Sequence, residues 1–146
     1  MGVVRATTEA EREDAFDVRY EVFVEEQGVP EELEWDEHDD WPDTVHFVAY
    51  DEDGEPVGAA RLRPKEDATG VAKVERVAVR EDRRGEDWGR QLMTAVEDAA
   101  REAGYAEVFL HAQRPVEDFY RRLGYETVSD VFEEAGIPHV EMEKRL

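Results

Sequence analysis

The order of elements predicts a mixed α/β (α+β) domain: a twisted, mostly antiparallel sheet of about six to seven strands with helices on both faces. Three observations lead there. Short runs rich in apolar and β-branched residues alternate with longer segments whose apolar residues recur at helical spacing. Asp51-Glu52-Asp53-Gly54-Glu55-Pro56 carries turn residues between adjacent strand-like runs, which marks a hairpin. The chain has 146 residues without a repeat or a Pro/Gly/Ser linker, which fits one domain spanning 1–146.

Val3 to Ala6 forms a short first strand. Thr8 and Glu11 stand at capping-box spacing, so a helix follows to about Glu26, with Phe16, Tyr20 and Phe23 on one apolar face and Val22 beside them. Residues 28–44 are polar, contain two prolines and read as a long loop. His46–Tyr50 and Val57–Leu62 are the hairpin strands, and Val71–Val79 is a third strand. From about Trp88 to Ala103, Leu92, Val96, Ala99 and Ala103 recur at helical spacing, and Gly104 sits where a C-terminal cap belongs. Ala106–Ala112 is a buried-type strand. Pro115 opens a short helix carrying Val116, Phe119, Tyr120 and Leu123, which Gly124 ends. Tyr125–Val128 and His139–Glu143 close the sheet.

Charge excludes several functions. The chain holds 39 acidic against 18 basic residues, a net −21, and such a surface repels nucleic acid and anionic membranes. No apolar run is long enough to span a bilayer, and the first residues lack the apolar stretch of a signal peptide. With no cysteine there is neither disulfide nor thiolate chemistry, and the simplest location is the cytoplasm. The acids are spread along the whole chain, and lysine is scarce at 3 of the 18 basic residues, so the composition suits a cytoplasm at molar salt. There the Debye length is about 3 Å and self-repulsion is screened.

The strand ending at Val79 runs into a turn with Arg83, Arg84, Gly85 and Gly89 and then directly into an amphipathic helix. Glycines let backbone N–H groups approach a ligand, and a helix N-terminus suits a phosphate. An ordinary strand-to-helix turn with solvated arginines is the plainer alternative. The segment Arg84-Gly85-Glu86-Asp87-Trp88-Gly89 resembles the acetyl-CoA loop of the GNAT superfamily of N-acetyltransferases, Arg/Gln-x-x-Gly-x-Gly/Ala. Arg19 to Gln27 with Pro30, Glu34, Asp36 and Asp39, then Ala112-Gln113, Phe119-Tyr120, Gly124-Tyr125 and Gly136 to Met142, resemble its ElaA-like branch. The resemblance covers nearly the whole chain.

It implies a GNAT fold and acetyl transfer from acetyl-CoA to a primary amine of a small molecule or peptide, by direct attack and without a metal. Val77, Ala78 and Val79 would pair with the pantetheine arm, and the Val77 N–H would polarise the thioester carbonyl. Arg84, Gly85, Glu86, Asp87, Trp88, Gly89 and Arg90 would hold the pyrophosphate, with Gln113 at the cofactor or acceptor. Glu75, two residues before Val77 and so on the same strand face, is the candidate general base. Tyr120 stands where the family often has a tyrosine that protonates the thiolate. Phe23 and His139 fall at the acceptor end, and a homodimer is compatible.

Asp87 departs from the motif glycine. It either caps the helix through its side chain or faces solvent, and both predict weaker acetyl-CoA binding at low salt. His111 reads more readily as a packed residue than a base. Glu34, Asp36, His38, Asp39 and Asp40 read as a solvated loop rather than a cation site. Two rival functions are a non-catalytic acyl-CoA-binding module on the same fold, and an acyl-homoserine-lactone synthase, whose early Arg-x-x-Val-Phe segment resembles Arg19 to Phe23.

Overall fold

Thr8 starts the first helix as its spacing to Glu11 dictates: its hydroxyl accepts from the Glu11 N–H at 3.1 Å, and the Glu11 carboxylate accepts from the Thr8 N–H at 3.1 Å. In the computed structural model, which describes residues 2–146, this helix (α1, Glu9–Arg19) continues as a π-helix over Tyr20–Glu26. The wider winding keeps Val22 in the core while Phe23 and Gln27 line a cleft. The expected loop that follows contains a short helix (α2, Glu31–Glu34) and a 3-10 turn at Glu37–Asp40.

The sheet has eight strands, one more than the upper expectation. They are β1 (Gly2–Arg5), β2 (Val45–Tyr50), β3 (Pro56–Pro64), β4 (Val71–Val79), β5 (Glu107–Gln113), β6 (Glu126–Thr127), β7 (Phe132–Glu134) and β8 (Ile137–Arg145). Their order is β1-β2-β3-β4-β5-β8-β6, with β7 paired to β8. All pairings are antiparallel except β4 with β5. The missed strand β7 is too short to show a period, and the expected strand at Tyr125–Val128 shrinks to β6.

Helices cover both faces. α1 buries Ala15 and Val18 against Val48, Ala59 and Ala78. On the other face, α3 (Trp88–Glu102) buries Leu92, Met93 and Val96 against Phe47, Ala60, Leu62, Ala72 and Val74, joined by Tyr120 from α4 (Glu117–Arg122). β3 is buried on both sides, which explains the small and apolar run over residues 57–60, while its Arg61 and Arg63 are buried with ionic partners. Gly58 lets α3 approach: a Cβ there would sit 2.8 Å from Leu92 Cδ1 and 3.2 Å from the Ala78 carbonyl oxygen. No helix among the described residues is long and apolar enough to cross a membrane.

Two irregularities in β4 create the cleft. Its ladder to β5 runs only from Val71–Val74 against Glu107–Leu110, and beyond that the parallel strands splay apart. On the β3 side, the register runs from Ala59–Ala78 to Arg61–Glu75, so β4 carries one extra residue. This is a bulge at Arg76, which takes a left-handed φ of 57°. The extra residue reverses the alternation: Ala72 and Val74 face α3, whereas Ala78 faces α1.

Candidate active site

The splay opens a cleft of about 1070 Å³ between β4 and β5. The sequence-predicted residues converge there from six parts of the chain. β4 contributes Glu75, Val77, Ala78 and Val79, and the turn with the first residues of α3 contributes Arg84, Gly85, Asp87, Trp88, Gly89 and Arg90. The π-helix brings Phe23, β5 brings Gln113, α4 brings Tyr120 and β8 brings His139. Glu86 alone is outside the lining: its exposed carboxylate accepts from Arg83 Nε at 3.0 Å and Trp88 Nε1 at 3.1 Å.

Three features at one side suit an extended anionic ligand. β4 has no strand partner on its β5 side beyond Val74, so its peptide edge around Val77–Val79 is open to the cleft. The first turn of α3 contains no acidic residue, and no side chain caps it, which leaves its leading N–H groups unclaimed. The Tyr120 hydroxyl makes no hydrogen bond among the described residues although the residue is 7% exposed. A buried tyrosine hydroxyl ordinarily finds a partner, so this one is set for a ligand. Burial pushes its pKa up, which keeps the hydroxyl protonated.

Of its two expected courses Asp87 takes the solvent-facing one, its side chain 49% exposed. At φ 76° it occupies the left-handed conformation that a motif glycine adopts without steric cost, and its side chain makes no capping bond. Instead its carboxylate accepts from Arg90 Nε at 2.9 Å. The other turn arginines are paired too: Arg83 with Asp51 and Glu86, and Arg84 with Glu26 through two bonds of 2.7 and 2.8 Å. The turn end of the cleft therefore holds cations already matched by carboxylates.

The face argument for Glu75 does not hold. The bulge turns Val77 toward the α3 side, while Glu75 lies on the opposite face beside Arg61. Its carboxylate accepts from Arg61 and from Arg63, each at 2.6 Å, with Lys73 at 3.4 Å. Burial alone would raise its pKa, but the Arg63 hydrogen bond and the charges of Arg61, Lys73 and Arg63 hold it far below the usual carboxylate range. A carboxylate held in this way is a poor proton acceptor.

Glu75 is one end of a buried ionic network that the sequence did not reveal. Arg61, fully buried, also donates to Asp36 at 2.6 Å and Asp39 at 2.9 Å. Asp39 in turn accepts from Arg19 at 2.7 Å, and Arg19 donates to Glu34 at 2.7 Å. The acidic segment expected to be a solvated loop is thus the anionic half of an anchor that pins residues 31–40 to the sheet. Only Asp40 behaves as expected, pairing with Arg12 at the surface. Gln27, also missed, exchanges amide hydrogen bonds with Gln113 across the cleft at 2.8 and 3.3 Å. Its place at the end of the Arg19–Gln27 segment that carries the family resemblance was the available signal.

Comparison with known proteins places this geometry. Residues 6–146 match the family model described as an acetyltransferase (GNAT) domain. The N-acetyltransferase YjcF of Bacillus subtilis (strain 168), whose activity is uncharacterized, is 42% identical over 145 residues, 99% of each chain. Among solved structures, Escherichia coli ElaA superposes with a TM-score of 0.84 at 30% identity, covering 97% of this chain and 96% of that one. An acyl-CoA N-acyltransferase from Pseudomonas aeruginosa gives a TM-score of 0.84 at 31% identity with the same coverage.

Proposed function

The chain belongs to the GNAT family of acetyltransferases, and on that premise we propose that it moves an acetyl group from acetyl-CoA to a primary amine of a small molecule or peptide. The observation that carries this reading is the meeting, in one cleft, of an open strand edge, an uncapped helix N-terminus and an unpartnered tyrosine hydroxyl.

The residues divide the work. The leading N–H groups of α3, from Trp88 onward, hold the pyrophosphate, with Gly85 and Gly89 keeping the turn slim. Gly89 also makes room for Phe119, whose ring would lie 3.0 Å from any Cβ placed there. Val77–Val79 pair their open peptide edge with the pantetheine amides, and the Val77 N–H polarises the thioester carbonyl. Tyr120 donates its hydroxyl proton to the departing thiolate sulfur. Phe23, Gln113 and His139 line the acceptor end. Glu75 anchors Arg61, Arg63 and Lys73 beneath it instead of taking a proton. The pairing of Asp87 with Arg90 offsets its charge beside the helix N-terminus, which weakens the main motive for a non-catalytic binding module. The spread of carboxylates fits a protein that works at molar salt.

The test is thiol release from acetyl-CoA in the presence of a panel of primary amines. Tyr120→Phe is expected to lower kcat/KM by about 10²–10³-fold with acetyl-CoA affinity unchanged. Amine-dependent thiol release that Tyr120→Phe leaves intact would refute the acid role, and none by the wild type would refute the enzyme.

A further inference from the structure

Resting on the acetyltransferase reading, we propose that His139 is the group that takes the proton from the acceptor ammonium, with Glu134 stabilising the imidazolium and His111 holding Glu134 in place. His139 pairs with Gln113 in the β5–β8 register, at the end of β5 that has left β4, and it faces the cleft. Its Nδ1 lies 2.7 Å from the Ile137 carbonyl oxygen, which can only accept. Nδ1 therefore carries the hydrogen, an assignment made from the partner, and the neutral ring keeps a lone pair on Nε2. Nε2 has no hydrogen-bond partner among the described residues, although His139 is 7% exposed.

The surroundings suit a ring that gains charge. The Glu134 carboxylate stands 3.8 Å from Nε2, close enough to stabilise an imidazolium without occupying the lone pair. Its other oxygen accepts from His111 Nδ1 at 3.0 Å. Phe132 stacks on His139 (centroids 6.0 Å apart, planes 26°) and meets His111 edge-on at 5.0 Å, which fixes both rings. The other charged groups around the cluster are Glu141, 3.5 Å from His111 Nε2, and Lys73 of β4, which acts on Glu134. Nothing comparable is left for Glu75, whose oxygens are taken by arginines.

The step balances as follows. The ammonium gives one proton to His139 Nε2, and its freed lone pair forms the C–N bond to the thioester carbon. The C–S bond breaks with its electron pair on sulfur, which takes the Tyr120 proton. The second proton lost by nitrogen restores Tyr120, and His139 returns its own to solvent.

The tautomer is tested without any acceptor. In protein labelled with 15N-histidine, long-range correlations assigned through His139→Asn are expected to show the neutral Nδ1–H form at pH 8, and an Nε2–H form overturns the proposal. His139→Asn keeps a donor for the Ile137 carbonyl while removing Nε2. With the amine probes, its kcat/KM is expected to fall about 10²–10³-fold, with partial rescue by free imidazole and acetyl-CoA affinity within about twofold of wild type. Glu134→Gln is expected to lower kcat/KM by a smaller factor than His139→Asn, because it removes the anion 3.8 Å from Nε2. An unchanged rate in His139→Asn, or loss of acetyl-CoA affinity in step with rate, overturns the base assignment. Failure of the wild type to bind acetyl-CoA overturns the enzyme reading instead and leaves the tautomer result standing.

Discussion

Replacing Asp39 with asparagine tests how the 31–40 segment that lines the cleft is held. Asp39 is 6% exposed, and its carboxylate accepts from Arg19 and from Arg61, both of them buried. Burial alone would raise its pKa, but the hydrogen bonds and charges of those arginines hold it at about 2, below an ordinary 3.8. That displacement corresponds to roughly 2 kcal/mol of preferential interaction with the anion. Neutralising one member of a buried network costs about 3–5 kcal/mol, because the partner charges stay buried. Asparagine keeps one acceptor oxygen, so the lower end applies, and about 3 kcal/mol in a domain of this size lowers Tm by roughly 10 °C. Urea denaturation at pH 7 measures the loss directly. Glu102→Gln serves as the control, since it breaks an exposed pair with Arg5 and is expected to cost under about 0.5 kcal/mol. Because the network pins the segment bearing Leu33, Glu34 and Asp36 to the cleft, Asp39→Asn is also expected to raise the acceptor KM more than it weakens acetyl-CoA binding. A loss no larger than that of Glu102→Gln would refute the anchoring argument.

The same carboxylate makes the fold acid-sensitive. Its folded pKa lies below the unfolded value, so its contribution is complete above pH 3.8 and is lost as pH falls through about 2. Glu34, raised by burial, works in the opposite direction. Denaturant midpoints measured from pH 5 to pH 2 are expected to fall in the wild type and to flatten in Asp39→Asn; parallel curves would contradict this. Asp87→Gly supplies the residue that a φ of 76° favours and releases Arg90 to the phosphate side. Acetyl-CoA affinity is then expected to rise about threefold in dilute buffer, as for one unit charge removed at several ångströms in water, and by less than about twofold in molar KCl. Calorimetry at both salt concentrations decides, and weaker binding by the variant would refute the electrostatic account.

Much of this molecule is legible in its sequence because the signals are local. Thr8 and Glu11 form their capping box by spacing alone. Leu92, Val96 and Ala99 recur on one face because a helix against a sheet must bury a stripe. The cleft was legible in Arg84, Gly85, Gly89 and Tyr120, whose order in the chain carries the family resemblance. What escaped depends on long-range geometry. Nothing in Val74-Glu75-Arg76-Val77 marks a bulge, yet that single extra residue sends Glu75 and Val77 to opposite faces and removes the same-face argument for Glu75 as the base. The partners of Asp36, Asp39 and Glu34 lie on α1, β3 and β4, so an acidic segment looks solvated until the arginines appear beneath it. The three-residue β7 brings Glu134 to His139, and so short a run carries no periodicity.

Calorimetric titration of the protein with acetyl-CoA in molar KCl tests the central claim most directly. Saturable binding of one acetyl-CoA per chain is predicted. Arg84→Ala, which removes a cation at the phosphate turn and frees Glu26, is predicted to weaken it by about tenfold or more. A folded wild-type protein that binds no acetyl-CoA, or an Arg84→Ala variant that binds it equally well, would contradict the assignment of the splayed strands and the α3 N-terminus as the acetyl-CoA site.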